Sequence, residues 1–108
     1  GIVIKEAANQ HYCTDAFSRA VFQAICDDAD VPTQAFANKS DMAGGSTLGN
    51  IANTQVSLNS VDVGLPQLAM HSAMETAGAK DTAYLISALS RFYAAAVRRS
   101  GDLYQIEY

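Results

Sequence analysis

The 108-residue chain has little basic charge and no long apolar run, and both shortages exclude a class of protein. Seven Lys and Arg against eleven Asp and Glu give a formal net charge of −4, which does not attract phosphate backbones or anionic lipid surfaces. No apolar run approaches the roughly 20 residues of a membrane helix. Residues 1–20 also lack the basic start and uninterrupted apolar stretch of a signal peptide. The sequence therefore predicts neither nucleic-acid binding nor membrane insertion.

Cysteine is also scarce, with Cys13 and Cys26 alone in the sequence. They flank or lie within one predicted helix, where thirteen positions correspond to about 20 Å of rise. A disulfide needs Cα atoms within about 7 Å, so these two cysteines are not expected to pair. Unpaired cysteines without a metal-binding spacing are typical of a reducing compartment, which favours a cytoplasmic location.

The hydrophobic content of 49% is enough to bury a core. Residues 2–4 form a β-branched run that predicts a buried strand entered midway, so we interpret the chain as a fragment. Apolar residues at helical spacing then predict a helix from about 15 to 28, with Thr14 or Asp15 as its cap. Residues 34–37 and 61–63 are predicted strands. This alternation indicates an α/β layer fold, and without a linker the whole chain, 1–108, is expected to form one unit.

The last predicted helix has the clearest pattern. Its apolar positions run from Leu85 to Ala96, after Asp81 as the N-cap. We expect Arg98 and Arg99 to complement its C-terminal dipole, and Gly101 to stop it.

Three features could carry chemistry. Gly44 and Gly45 stand directly before a predicted helix at 47–55, where free backbone N–H groups could face an anion, or the pair could simply be a tight turn. His71 follows a predicted strand and could be a zinc ligand or a structural histidine. Glu75 would share its face in a helix, as a carboxylate that orients the imidazole or as a surface acid. The residues alone leave these alternatives open.

Three longer motifs resolve these alternatives by resemblance. Residues 61–72 read VDVGLPQLAMHS, residues 40–49 read SDMAGGSTLG, and residues 8–12 read ANQHY after Ile4 and Lys5. In this order they resemble the C-terminal part of the M18 metallo-aminopeptidases, a family of aspartyl aminopeptidase-like enzymes. The resemblance extends from about residue 2 to residue 96.

The resemblance implies a zinc-peptidase (phosphorylase/hydrolase-like) three-layer fold with a central sheet, of which residues 1–108 are the C-terminal part of the catalytic domain. It also implies two zinc ions that activate a water and polarise the scissile carbonyl. By the same resemblance, His71 matches a metal ligand, and Lys5 is expected to face an acidic first side chain of the peptide. Tyr12 is expected to stabilise the carbonyl oxygen in the transition state and to contact substrate. The remaining matches are to a loop that lines the same pocket: Asp41, Gly44, Gly45 and Ser46.

One departure from the family limits this expectation. The other zinc ligands and the general-base Glu lie upstream in the family and have no counterpart in the chain. Because a zinc site needs three or more protein ligands, the isolated fragment is expected to be inactive. The parent is expected to cleave acidic or neutral N-terminal residues from peptides and to assemble as a homo-oligomer, by family resemblance a dodecamer. The alternative is a non-enzymatic α/β interaction or assembly domain.

Overall fold

The computed structural model describes residues 1–6, 14–37 and 59–108. Its centre is a three-stranded sheet in the order β2-β1-β3. Strand β1 spans Ile2–Glu6, β2 spans Thr33–Ala37 and β3 spans Asp62–Gly64. β1 pairs in parallel with β2 and antiparallel with β3. The three predicted strands are therefore confirmed, with small shifts of their ends.

Helix α1, Ala16–Asp28, connects the two parallel strands along the sequence and confirms the helix predicted from 15 to 28. Of the two proposed caps, Asp15 is the one used. Its carboxylate accepts the Ser18 N–H at 2.8 Å, and the Ser18 hydroxyl accepts the Asp15 N–H at 3.0 Å. Such a capping box satisfies two backbone donors that the first helical turn leaves without partners. Thr14 instead accepts the N–H of Asp62 at 2.7 Å, which ties the start of β3 to the start of α1.

The core lies between one face of the sheet and two helices, α1 and α2, the second of which spans Asp81–Ala94. Alternation along β1 directs Ile2 and Ile4 to this face, where both are almost fully buried. Each isoleucine buried in this way contributes about 1.5–3 kcal/mol. The core residues are Ile2, Ile4, Phe22, Cys26, Val31 and Ala88. The described residues thus form a small mixed α/β unit.

The predicted course of the last helix is wrong at both ends. Asp81 is the first helical residue rather than the cap, and its buried carboxylate accepts the Gly1 ammonium at 2.8 Å. The helix ends at Ala94, and Arg98 and Arg99 lie in strand β6, Ala96–Ser100. Gly101, with φ +62°, turns this strand into β7, Leu103–Glu107, instead of stopping a helix.

Cross-strand pairing explains that correction. In the hairpin the Arg98 guanidinium lies 2.9 Å from the Glu107 carboxylate, and the ring of Tyr104 contacts that of Phe17 on α1 at 4.7 Å. Glu107 lies nine residues from Arg98, and Phe17 lies 87 residues from Tyr104. The local run of alanines that predicts a longer helix carries no information about these contacts. No helix in residues 14–37 or 59–108 is long and apolar enough to cross a bilayer.

Cys26 gives a prediction that can be checked directly. Its thiol is free and buried, and burial first and the neighbouring Asp27 second raise its pKa to about 11. The folded chain should therefore leave Cys26 unlabelled by a thiol reagent at pH 8, and denaturant should expose it. Because the folded state retains this proton more strongly than the unfolded state, the thiol should also reduce stability as the pH rises from about 9 to about 11. Rapid labelling of Cys26 without unfolding would contradict its position in the core; a Cys13→Ser variant isolates its signal.

Candidate functional site

The structure describes two of the residues predicted to form the site, Lys5 and His71. The other predicted site residues lie outside the described part of the chain: Tyr12, Asp41, Gly44, Gly45 and Ser46. Their predicted roles are neither supported nor contradicted by the geometry.

Lys5 lies on β1, on the sheet face opposite the helices. Alternation places it away from the buried Ile4, and it is half-buried. Asp62 is its direct partner across the sheet, and Gly64 lies two positions further along β3 on the same face. Sequence analysis assigns no site role to Asp62 or Gly64. The period of two in residues 61–65 nevertheless places both on the strand face opposite the apolar Val61 and Val63.

His71 lies in an exposed turn. The turn joins two short antiparallel strands, β4 at Gln67–Leu68 and β5 at Thr76–Ala77. Both Ala69 and His71 adopt the left-handed backbone region, at φ +57° and +69°. A residue other than glycine pays of the order of 1 kcal/mol for this conformation. The turn therefore holds the imidazole outward at an energetic cost.

Glu75 stabilises this turn through the backbone. Its carboxylate accepts the backbone N–H of His71, and the Ser72 hydroxyl donates to the Met74 carbonyl at 2.7 Å. The segment is a hairpin turn, so the helical arrangement in which Glu75 would share a face with the imidazole is not formed. Glu75 thus fixes the backbone from which His71 projects.

His71 is the one predicted metal ligand among the described residues. Within residues 1–6, 14–37 and 59–108, no three His, Cys, Asp or Glu side chains converge on a common point. A zinc ion held by His71 would therefore need ligands from elsewhere, since such sites take three or more from the protein. The exposed position of His71 leaves its ring accessible to them.

Two grooves of the described surface lie away from these two residues. One, of about 590 Å³, is lined mainly by α1 and the β6–β7 hairpin and includes Phe17, Phe92 and Tyr104. Another, of about 450 Å³, runs along β4 and β5 beside Asp81. Neither groove is lined by Lys5 or His71.

Comparison with known proteins relates the chain to enzymes of greater length. Residues 1–93 match the family model described as aminopeptidase I zinc metalloprotease (M18). A probable M18 family aminopeptidase 2 from Pseudomonas paraeruginosa is 47% identical over 94 residues, and one from Clostridium novyi is 48% identical over 93. These matches cover 87% and 86% of this chain but 22% of each relative. The chain thus spans about a fifth of the length of the curated relatives it matches.

Solved structures give the same relationship at the level of the fold. A chain in the cryo-EM structure of the Ape4 and Nbr1 complex superimposes with a TM-score of 0.83 at 36% identity, over 86% of this chain and 18% of that one. The crystal structure of prApe1 gives a TM-score of 0.81 at 27% identity, over 86% of this chain and 20% of that one. Since the family model covers residues 1–93, the chain belongs to the M18 family of zinc metalloprotease aminopeptidases.

Proposed function

We propose that this chain is the C-terminal part of the catalytic domain of a cytoplasmic dizinc aminopeptidase. The complete enzyme removes N-terminal residues from peptides, with acidic residues preferred over neutral ones. The observation that carries the proposal is the match of residues 1–93 to the M18 family. The aligned segment is 22% of the length of such a relative, which leaves room for further metal ligands and a general base outside it.

The exposed surface supports a larger domain. Leu68, Met70 and Met74 on the β4–β5 hairpin are 71%, 61% and 83% exposed. Large apolar side chains grouped in this way usually mark a surface that another part of a protein covers. The described helices pack against one face of the sheet, and in the proposed three-layer fold the remainder of the parent covers the other.

The described site residues have separate roles in this proposal. When bound, the two zinc ions supply an activated water and polarise the scissile carbonyl. His71 contributes an imidazole to the ligand set from its outward-facing turn. Lys5 presents an ammonium to the first side chain of the peptide, where a carboxylate is attracted. Tyr12 stabilises the carbonyl oxygen, and Asp41, Gly44, Gly45 and Ser46 line the pocket.

The 108-residue chain should be inactive by itself. With one imidazole and no convergent carboxylates among the described residues, it should neither bind zinc stoichiometrically at micromolar concentration nor hydrolyse peptides that begin with Asp or Leu. Isothermal titration with zinc and a peptidase assay on a chain of verified mass test this, and the full-length protein is the positive control. Turnover by the isolated chain would show that it already holds a complete site.

Assembly is the alternative function, and exposed aromatic side chains favour it. Tyr93 is 79% exposed beside Phe92 at the end of α2, and Tyr104 and Tyr108 of the hairpin segment are about half exposed.

We propose that the enzyme forms a homo-oligomer, by family resemblance a dodecamer. A full-length protein that assembles but neither binds zinc nor cleaves peptides would favour a purely structural domain.

A further inference from the structure

Gly64 has no backbone reason to be glycine. Among the described residues, Gly101 is the glycine with a left-handed backbone, and Gly64 lies in the regular ladder opposite Val3. Glycine destabilises a strand relative to alanine, so its presence there often marks a close approach by another group.

The Lys5 side chain makes that close approach. A Cβ built on Gly64 would stand 3.1 Å from Lys5 Cε and 3.3 Å from Lys5 Nζ. The lysine stem therefore crosses from β1 to β3 and places its ammonium over the Gly64 backbone. Any larger residue at position 64 would occupy the space in which the end of this side chain rests.

Charge also draws the Lys5 side chain toward strand β3. Asp62 stands directly opposite Lys5 on the neighbouring strand. Opposite charges at facing positions of an antiparallel pair attract one another. The hydrogen bond from the Asp62 N–H to Thr14 fixes this end of β3. Charge thus draws the Lys5 ammonium toward β3, and the absence of a side chain at Gly64 allows it to lie there.

We propose that Gly64 is a positioning residue that sets the height and direction of the Lys5 ammonium above the sheet, and through it the selectivity for acidic N-terminal residues. This inference rests on the proposed function, since it needs Lys5 to face the substrate. A methyl group at position 64 pushes the lysine tip aside by a few tenths of an ångström. Displacements approaching 1 Å at a recognition site can change rates about a hundredfold.

A double-mutant cycle in the full-length enzyme tests this positioning role. We expect Gly64→Ala to lower the ratio of kcat/KM for Asp- over Leu-terminated peptides about tenfold. The ratio cancels any general loss of folded enzyme, and alanine is the better strand residue. In a Lys5→Met background the same substitution should leave the ratio unchanged, because there is no ammonium left to displace.

The outcomes separate the two proposals. If Lys5→Met lowers the ratio but Gly64→Ala does not, or if Gly64→Ala acts equally in both backgrounds, Gly64 does not act through Lys5 and the inference is overturned. If Lys5→Met itself leaves the ratio unchanged, the proposed selectivity fails and this inference fails with it. An activity-independent measurement is a crystal structure of the full-length enzyme: the end of the Lys5 side chain should contact the Gly64 backbone, and a Lys5 side chain directed away from Gly64 would refute the geometry.

Discussion

Replacing His71 by asparagine in the full-length enzyme should remove zinc and activity together. An imidazole that binds a catalytic metal cannot be replaced by an amide, and loss even of groups that merely orient such ligands costs about 10–100-fold. We therefore expect kcat/KM to fall at least a hundredfold and zinc per subunit to fall in parallel. Asparagine is chosen because it tolerates the left-handed backbone that His71 adopts at φ +69°.

The control for this prediction is Ser72→Ala, which changes the neighbouring residue of the same turn. It removes the hydroxyl that donates to Met74 and leaves the imidazole in place. Zinc content and activity should stay near those of the unchanged enzyme. Full zinc occupancy and undiminished turnover in His71→Asn would exclude His71 from the ligand set.

Replacing Lys5 by methionine should change which peptides the enzyme prefers. A partly desolvated ammonium that meets a carboxylate contributes a few kcal/mol, which corresponds to about a hundredfold in selectivity. Because Lys5 is half-buried against β3, its charge is less screened than that of a fully exposed lysine. We therefore expect the Asp-to-Leu ratio of kcat/KM to fall about a hundredfold in Lys5→Met.

A matched control for Lys5 is Lys80→Met, which removes an exposed ammonium just before α2. Its Asp-to-Leu ratio should equal that of the unchanged enzyme. High salt should weaken the preference of the unchanged enzyme and have little effect on that of Lys5→Met. An unchanged ratio in Lys5→Met would show that another residue selects the substrate.

Local sequence patterns predicted the sheet and α1 well. The β-branched start of the chain and the apolar spacing around Phe22 and Ile25 correspond directly to the side chains that the sheet and α1 bury in the core. The predicted end of α2 is wrong because the residues after Ala94 pair with residues 103–107 as a β-hairpin instead of continuing the helix. Arg98 and Arg99 resemble a helix C-terminus by sequence, yet they pair with Gln105 and Tyr104 in a β-hairpin. Residues 94–108 also lie beyond the family match, so no resemblance could correct the local pattern.

Local sequence patterns predicted less about the candidate site than about the fold. Neither Lys5 nor His71 stands out by spacing, and the family resemblance assigned both roles. The left-handed turn at His71 depends on Glu75 reaching back to its backbone N–H, whereas the same spacing of four also suits a helix. The closeness of Gly64 to Lys5 needs the register of β1 against β3, which a single sequence does not specify.

The zinc content of the purified full-length protein tests the central claim most directly. Elemental analysis set beside subunit mass should give two zinc ions per subunit, and removal of zinc with a chelator should abolish cleavage of an Asp-terminated peptide until zinc is restored. A full-length protein that cleaves such peptides equally well after zinc has been removed, or one that holds no zinc and cleaves none, would contradict the assignment of this chain to a dizinc aminopeptidase.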